Sequence, residues 1–440
     1  MSEFTVVSRP QEAAPSERPG RLRIVIVGGG FAGIAAAKAL RNCEAEVVVI
    51  DRRNHHIFQP LLYQVATSVL ASSDIAAPIR QLAARQKNVS VMLAEVVGVD
   101  VQSRSVDAEV PGLGLRKIAF DYLIVAAGNQ SSYFGHNEYA QYAPCLKTIT
   151  DAETIRTRIL SAYELAESTD DADVQRRLMT FVLVGAGPTG VELAASIAQM
   201  ATTTLRSNFR RIDPARTSII LLDGAKRVLP TFAEASSEKA AKRLAKLGVQ
   251  VITSAMVEHI DDRGVIVGGK PIESSTVLWT AGVSPSPLVK MLGVATDRAG
   301  RARVGPYMNV PEADRVFAIG DTATLMQNGQ PLPGVAQVAI QQGRYVGRLI
   351  AATIDGGGSP RPFHYFDLGN MAVIGKNFAI LETGRIRLAG FIPWLIWAFL
   401  HLMFLPQLQN RRRVQNQWFW TYLTGQRGSR LVSETPRVGT

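Results

Sequence analysis

Six glycines and two aspartates carry the clearest chemistry in this sequence. Gly28, Gly30 and Gly33 stand in Gly28-Gly29-Gly30-Phe31-Ala32-Gly33, and Asp51 follows at about the twenty-residue interval of dinucleotide-binding turns. Gly185, Gly187 and Gly190 stand in Gly185-Ala186-Gly187-Pro188-Thr189-Gly190, with Asp223 at a longer interval. In such a pattern the first glycine permits a tight turn, the second lets the backbone approach a pyrophosphate, and the third lets helix and strand pack closely. The helix N-terminus then offers unpaired N–H groups and the positive end of its dipole to the phosphates, and the acid accepts hydrogen bonds from ribose hydroxyls. One glycine pattern alone is as often a plain turn. Two copies, each between strand and helix and each followed by an acid at the end of the next strand, imply two bound dinucleotides. Asp223 would repel a 2′-phosphate, which favours NADH over NADPH; Lys226 and Arg227 nearby read as a solvated turn.

The elements that hold these residues follow one grammar twice. The apolar run Leu22 to Val27 enters the first turn, an alanine-rich helical stretch leaves it and reaches Leu40, and a strand from Val47 to Ile50 ends at Asp51. Phe181 to Val184 enters the second turn, Val191 to Met200 leaves it as helix, and a strand from Ile219 to Leu222 ends at Asp223. The polar stretch Thr202 to Arg216 reads as an insertion before that strand. Short apolar runs such as Tyr122 to Ala126 lie between the copies, and a later set ends in Phe317-Ala318-Ile319-Gly320-Asp321. Ala336 to Ile350 has helical spacing, Asp355 to Pro362 is a Gly/Pro-rich linker, and from Phe363 the chain turns rich in Trp, Phe and Arg.

With 440 residues, 47% of them hydrophobic, the chain has material for two or three domains. Its 48 Lys and Arg against 37 Asp and Glu leave a net charge of +11. That balance favours anionic partners without choosing among dinucleotides, acidic lipid headgroups and nucleic acid; the motifs choose the first two, and no nucleic-acid partner is expected. Cys43 and Cys145 are the only cysteines, with no CxxC pair and no Cys/His grouping, so neither a disulfide framework nor a metal site is expected. Residues Met1 to Gly20 read as a disordered leader without the apolar core of a secretion signal.

Beyond the glycine turns, five segments have a recognisable pattern: Phe58-Gln59-Pro60-Leu61-Leu62-Tyr63-Gln64-Val65-Ala66, Ala126-Ala127-Gly128, Trp279-Thr280-Ala281-Gly282-Val283, Ile319-Gly320-Asp321 and Ala336-Gln337-Val338-Ala339-Ile340-Gln341-Gln342-Gly343. With them the chain, from Arg21 to its end, resembles the flavoproteins that bind two dinucleotides, and among these the type II (alternative, non-proton-pumping) NADH:quinone oxidoreductases. The resemblance implies FAD on Gly28, Gly30, Phe31, Ala32, Gly33, Asp51, Arg52, Gly128, Gly320, Asp321, Ala336 and Gln337. It implies NADH on Gly185, Gly187, Pro188, Thr189, Gly190, Glu192, Asp223 and Gly282, with Glu192 approaching flavin and nicotinamide. Asp321 would bind the ribityl chain. Gln337 and Gln341, four apart on one helical face, would line a quinone pocket, ordinary helix-surface hydrogen bonding being the alternative. Lys376 is a further candidate for a charge near the quinone, against an exposed loop lysine. His55 and His56, adjacent and without a third ligand, read as polar loop residues. Disulfide reductases of this fold need a CxxxxC dithiol, and Arg52 to Val69 has no cysteine. Sulfide:quinone oxidoreductases need a cysteine in the C-terminal half, and none follows Cys145.

The expected architecture is α/β: two Rossmann-like domains and a C-terminal membrane-associating helical segment. The expected divisions are 21–150 with 300–355 for FAD, 151–299 for NADH and 356–440 for membrane anchoring. The apolar helix between Pro393 and Pro406 would be roughly 20 Å long, short of the ~30 Å hydrocarbon core, so it should lie in the interface of one leaflet. Arg411, Arg412, Arg413, Arg427 and Arg430, with Trp418, Phe419, Trp420 and Tyr422, favour an anionic lipid surface. A buried packing helix or a homodimer contact is the alternative, and either is compatible with membrane docking. The expectation is a monotopic respiratory-chain enzyme on the cytoplasmic side of the cell inner membrane, passing electrons from NADH to quinone. Its rivals are a soluble NAD(P)H reductase of a ferredoxin-like protein and a flavin-binding protein that senses NADH.

Overall fold

The computed structural model describes residues 21–311, 313–357 and 361–432, so the expected leader lies outside the described residues. The chain divides into two compact units, each built from three stretches. One takes the described residues up to His56 with Ala77–Gln130 and Ser284–Phe366; the other takes Ile57–Ala76, Ser131–Val283 and the chain from Asp367.

Buried β-branched runs build the first unit. Ile24, Val25, Ile26, Val47, Val49 and Ile50 are enclosed, as strands covered on both faces of a parallel sheet must be. Six strands lie side by side: Asn309–Val310, Ala313–Ala318, Tyr122–Val125, Arg23–Val27, Glu46–Asp51 and Val89–Leu93. The first pair is antiparallel and the rest are parallel. The helix Phe31–Ala39 leaves the central strand and packs on the long helix Ala336–Ile354. Small residues set that approach, since a Cβ at Gly343 would fall 2.2 Å from the Ala32 carbonyl oxygen. A three-stranded antiparallel meander, Glu95–Asp100, Ser105–Val110 and Gly114–Ala119, precedes the return strand Tyr122–Val125.

The second unit repeats the plan. Its four parallel strands run Val249–Ile252, Ser218–Leu222, Thr180–Val184 and Thr276–Trp279. The helix Pro188–Gln199 leaves the glycine turn, and the meander Val257–Asp261, Gly264–Val267 and Lys270–Glu273 precedes the return strand. Past Gln199 the helix widens into a π turn, Met200–Thr204, and the expected insertion follows it to the 3₁₀ turn Pro214–Arg216.

In the division into two units the chain from Asp367 falls in this second unit. It opens with a three-stranded sheet that its composition did not announce: Asn370–Val373, Ala379–Thr383 and Ile386–Gly390. Two helices follow, Phe391–Phe404 and Leu408–Thr424, the second closed by Gly425 at φ 72°. Hydrogen bonds tie this C-terminal section to the rest of the unit. Ala233 N–H donates to the Glu382 carboxylate at 3.1 Å, Arg243 Nε to the Ile374 carbonyl at 3.2 Å, and Asn410 Nδ2 to the carbonyls of Ser73 and Asp74 at 3.0 and 2.8 Å. The last pair ties Ile57–Ala76 to the C-terminal section. Among the described residues no helix is long and apolar enough to cross a membrane.

Candidate functional site

Each glycine turn is pinned by its own acid. In the first unit Asp51 Oδ2 accepts from Gly29 N–H at 2.6 Å and Oδ1 from Arg53 N–H at 2.7 Å. In the second, Asp223 Oδ2 accepts from Ala186 N–H and Oδ1 from Ala225 N–H, at 2.5 and 2.6 Å. The turns also dock on the neighbouring strand in the same way, through Gly28 N–H to Ile50 O at 2.8 Å and Gly185 N–H to Leu222 O at 2.7 Å. A Cβ at Gly33 or Gly190 would fall 1.8 Å from the carbonyl oxygen of Gly28 or Gly185, so these positions require glycine.

The middle glycines say what the turns are open to. Gly30 and Gly187 have ordinary φ angles of −74° and −69°, and a Cβ at either would meet nothing within 4 Å. No side chain caps either helix, and neither first turn carries an acid. Space above the turn, uncapped N–H groups and a positive helix end fit a pyrophosphate twice over. In the first unit Arg53 Nη1 and His55 Nε2 are buried without a hydrogen-bond partner among the described residues, which fits polar contacts to a dinucleotide beside Asp51. The residues present therefore fit one dinucleotide in each cradle.

Around the first cradle, the Asp321 carboxylate accepts from Asn129 Nδ2 at 2.6 Å, and Gly320 N–H donates to Gln342 Oε1 at 2.7 Å. Gln342 is 1% exposed. Sequence reasoning passed over it for Gln341, although the sequence Gln341-Gln342 offers one amide to each face of the helix. His56 donates through Nδ1–H to the Gly29 carbonyl, 3.1 Å away, and burial pulls its pKa down to about 4. It braces the loop as a neutral ring.

In the second unit the Trp279-Thr280-Ala281-Gly282-Val283 segment acts on the cradle. Thr280 Oγ1 donates at the carbonyls of Val184 and Gly185, 2.9 and 2.7 Å away, and Trp279 Nε1 donates to Ser132 O at 2.9 Å. Glu192, on the cradle helix, has one hydrogen-bond contact of 3.5 Å from Val373 N–H, and burial raises its pKa to about 8. Beside it lies Tyr63, whose phenol oxygen accepts from Gln64 Nε2 at 2.9 Å; Trp418 Nε1 donates to Gln64 Oε1 at 2.7 Å. Burial, then the neighbouring Glu192, push the Tyr63 phenol well above its usual pKa.

Residues 22–343 match the pyridine nucleotide-disulphide oxidoreductase family. The chain is 41% identical over 436 residues to the type II NADH:quinone oxidoreductase Ndh of Mycobacterium tuberculosis, covering 97% of this chain and 93% of that protein. It is 42% identical over 433 residues to NdhA of the same organism, covering 95% and 91%. The chain belongs to the type II NADH:quinone oxidoreductases. In fold it is similar to the solved NDH2 of Plasmodium falciparum in complex with NADH, with a TM-score of 0.83 at 20% identity over 93% of this chain and 99% of that one.

Within this type II oxidoreductase several expected site residues make contacts that the sequence did not announce. Gln341 Nε2 donates to Phe366 O at 2.8 Å and its Oε1 accepts from Phe366 N–H at 3.0 Å, so the amide ties down main chain. Lys376 Nζ donates to Tyr422 O at 2.8 Å and sits 3.9 Å from the centre of that ring; it anchors the last helix. Arg52 forms an exposed ion pair with Glu95 at 3.4 Å, and its neighbour Arg53 holds the buried unpartnered nitrogen. Arg427, expected at the lipid surface, is 5% exposed. Trp418 is not a free surface aromatic either: it stacks on Trp397 at 5.3 Å and donates to Gln64.

Proposed function

We infer that this chain oxidises NADH and reduces a membrane quinone, NADH + H⁺ + quinone giving NAD⁺ + quinol, without pumping protons. The observation that carries the reading is the pair of acid-pinned cradles, each open over its middle glycine, in one chain. FAD bound in the first cradle supplies a two-electron carrier between nicotinamide and quinone. The protein's part is binding and placement. Asp51 and Asp223 fix their turns through both carboxylate oxygens, each of which keeps a second lone pair for a ribose hydroxyl; the helix ends at Gly30 and Gly187 hold the phosphates. Gln342 and Asn129 orient the Gly320-Asp321 segment. Burial raises the Glu192 pKa to about 8, so it holds a proton at neutral pH, and quinone reduction consumes one. Tyr63, kept neutral by burial, offers a hydroxyl at the same place.

A membrane quinone with a long apolar tail stays in lipid, so an enzyme for it must meet lipid. Along the helix Phe391–Phe404, Leu395, Phe399 and Met403 follow one another at four-residue spacing and are exposed, Phe399 at 63%, whereas Pro393 and Trp397 are buried. Phe419, Trp420 and Leu423 extend the apolar surface on the last helix, beside the exposed Arg412 and Arg413. We assign this stripe to an anionic lipid surface on the cytoplasmic side of the inner membrane, with the chain monotopic. A second copy of the chain is the alternative occupant.

The purified protein should show a flavin spectrum that NADH bleaches and a water-soluble quinone restores. Proteoliposomes should oxidise NADH without acidifying their lumen, and the protein should float with anionic vesicles more than with neutral ones. A flavin that NADH reduces and quinone fails to reoxidise would sink the reading.

A further inference from the structure

The buried guanidinium of Arg427 is a group that the reading above leaves without a task. It follows the last helix, lies 5% exposed, and among the described residues no carboxylate lies within ion-pair distance of it. Burying an unpaired cation is a poor way to gain stability. What it has instead are oxygen acceptors on two different elements. Nη1 donates to Thr67 O at 2.7 Å, and Nη2 donates to Ser196 O at 3.0 Å.

Those two carbonyls have the same relation to the two side chains beside the cradle. Thr67 is one helical turn after Tyr63, to whose carbonyl it returns both N–H at 3.0 Å and Oγ1 at 2.9 Å. Ser196 is one helical turn after Glu192 in the cradle helix. Residues four apart lie on one helix face, so the fork holds the ends of two short levers whose other ends are Tyr63 and Glu192. The Thr67 and Ser196 hydroxyls meet at 2.7 Å between them. The turn that delivers the arginine is itself tied on both sides, by Thr204 Oγ1 to Gly425 O at 2.9 Å and by Ser429 N–H to Ser68 O at 3.3 Å.

We propose that Arg427 is a positioning residue for the quinone half-reaction: a two-ended clamp that fixes the separation of Tyr63 and Glu192 from the C-terminal side. The proposal rests on the reading that these two side chains serve quinone reduction. A planar guanidinium spans two acceptors in fixed geometry, which an ammonium does not. The chain beyond the last helix thereby becomes part of the site without touching substrate, and the same C-terminal section bears the apolar stripe.

The test uses the full-length holoenzyme in detergent, as parent, Arg427→Met and Arg427→Lys. Hydrogen–deuterium exchange read by mass spectrometry should show amides of 63–69 and 196–204 exchanging about tenfold faster in Arg427→Met, with the first cradle unchanged. Stopped-flow should show flavin reduction by NADH within about twofold of the parent and reoxidation by quinone slowed about 10- to 100-fold, the scale of a misplaced reacting group. Arg427→Lys, which keeps the charge and loses the fork, should fall between the two on both readouts. Exchange that does not change in either variant overturns the clamp, as does loosened exchange with reoxidation at the parental rate. Should Arg427→Met not fold, a lysine variant that matches the parent on both readouts overturns it equally. A parent enzyme that quinone cannot reoxidise defeats the functional reading instead, and the exchange measurement still judges the clamp.

Discussion

The two glycine cradles are near copies in backbone and unlike in what covers their helices. In the first unit the cradle helix is alanine-rich and lies against Gly343 and Gly347 of the long helix, a dry contact of small residues. In the second the equivalent helix carries Glu192 and Ser196, and its surroundings are Tyr63, Thr67, Val373 and Arg427, all polar or offering main-chain groups. Copying the turn copies dinucleotide binding. The difference lies along the helices: the second cradle helix carries the buried Glu192 with Tyr63 beside it, where the first has only small apolar residues.

The sharpest contrast should come from the glycine under each helix. Gly33→Val forces a side chain into the Gly28 carbonyl, and Gly190→Val does the same at Gly185. Overpacking of ~1–3 kcal/mol should weaken the affected ligand about 10- to 100-fold. Gly33→Val is expected to purify with little flavin, read from the visible spectrum. Gly190→Val should keep its flavin and lose rapid bleaching by NADH. Equal flavin loss in both would mean that the cradles are not separate.

Nucleotide choice tests the second cradle by its acid. Asp223→Ser removes a carboxylate that would repel a 2′-phosphate, and the preference of kcat/KM for NADH over NADPH should narrow about 10- to 100-fold. Because Asp223 also holds Ala186 and Ala225 N–H groups, KM for NADH should rise as well. Equal use of both nucleotides by the parent would remove the basis of this expectation.

The cradles were legible in the sequence because their demands are local: a turn, an open space and an acid at a strand end are each written in a few residues. Gln342, Arg53 and Arg427 were not. Gln342 and Gln341 look alike until the helix is placed, and only packing decides which amide is enclosed. Arg427 sits among arginines and aromatics that composition reads as a lipid-facing surface, and its burial depends on Thr67 and Ser196, hundreds of positions away in the chain. The sheet Asn370–Gly390 escaped notice for a related reason: its strands are short and their alternation is weak against the aromatic run that follows.

The ionisable cover of the second cradle should show in pH dependence. Burial raises the Glu192 pKa to about 8, against ~4.3 for an exposed glutamate. The folded state therefore holds a proton that the unfolded chain releases, so this group's contribution to stability is full below ~4.3, falls as pH rises towards 8, and is level above. Glu192→Gln should remove that slope, raising Tm relative to the parent more at pH 8 than at pH 5. The quinone phase of the parent should decline by about tenfold per pH unit above 8 where proton delivery limits it, and the variant should lack that limb. Parallel Tm curves for parent and variant would show that Glu192 is not protonated in the fold at neutral pH.

The smallest effect expected separates the adjacent glutamines of the first unit. Gln342→Leu removes the acceptor of Gly320 N–H in an enclosed place and should weaken flavin retention about 3- to 10-fold, the worth of one buried hydrogen bond. Gln341 holds the main chain of Phe366, and both partners lie near solvent, where water replaces a lost amide. Gln341→Leu should thus stay within about twofold of the parent in flavin content and both stopped-flow phases. If Gln341→Leu instead slows quinone reoxidation selectively, the amide leaves Phe366 when quinone binds, and the site extends along that face of the helix to Gln337.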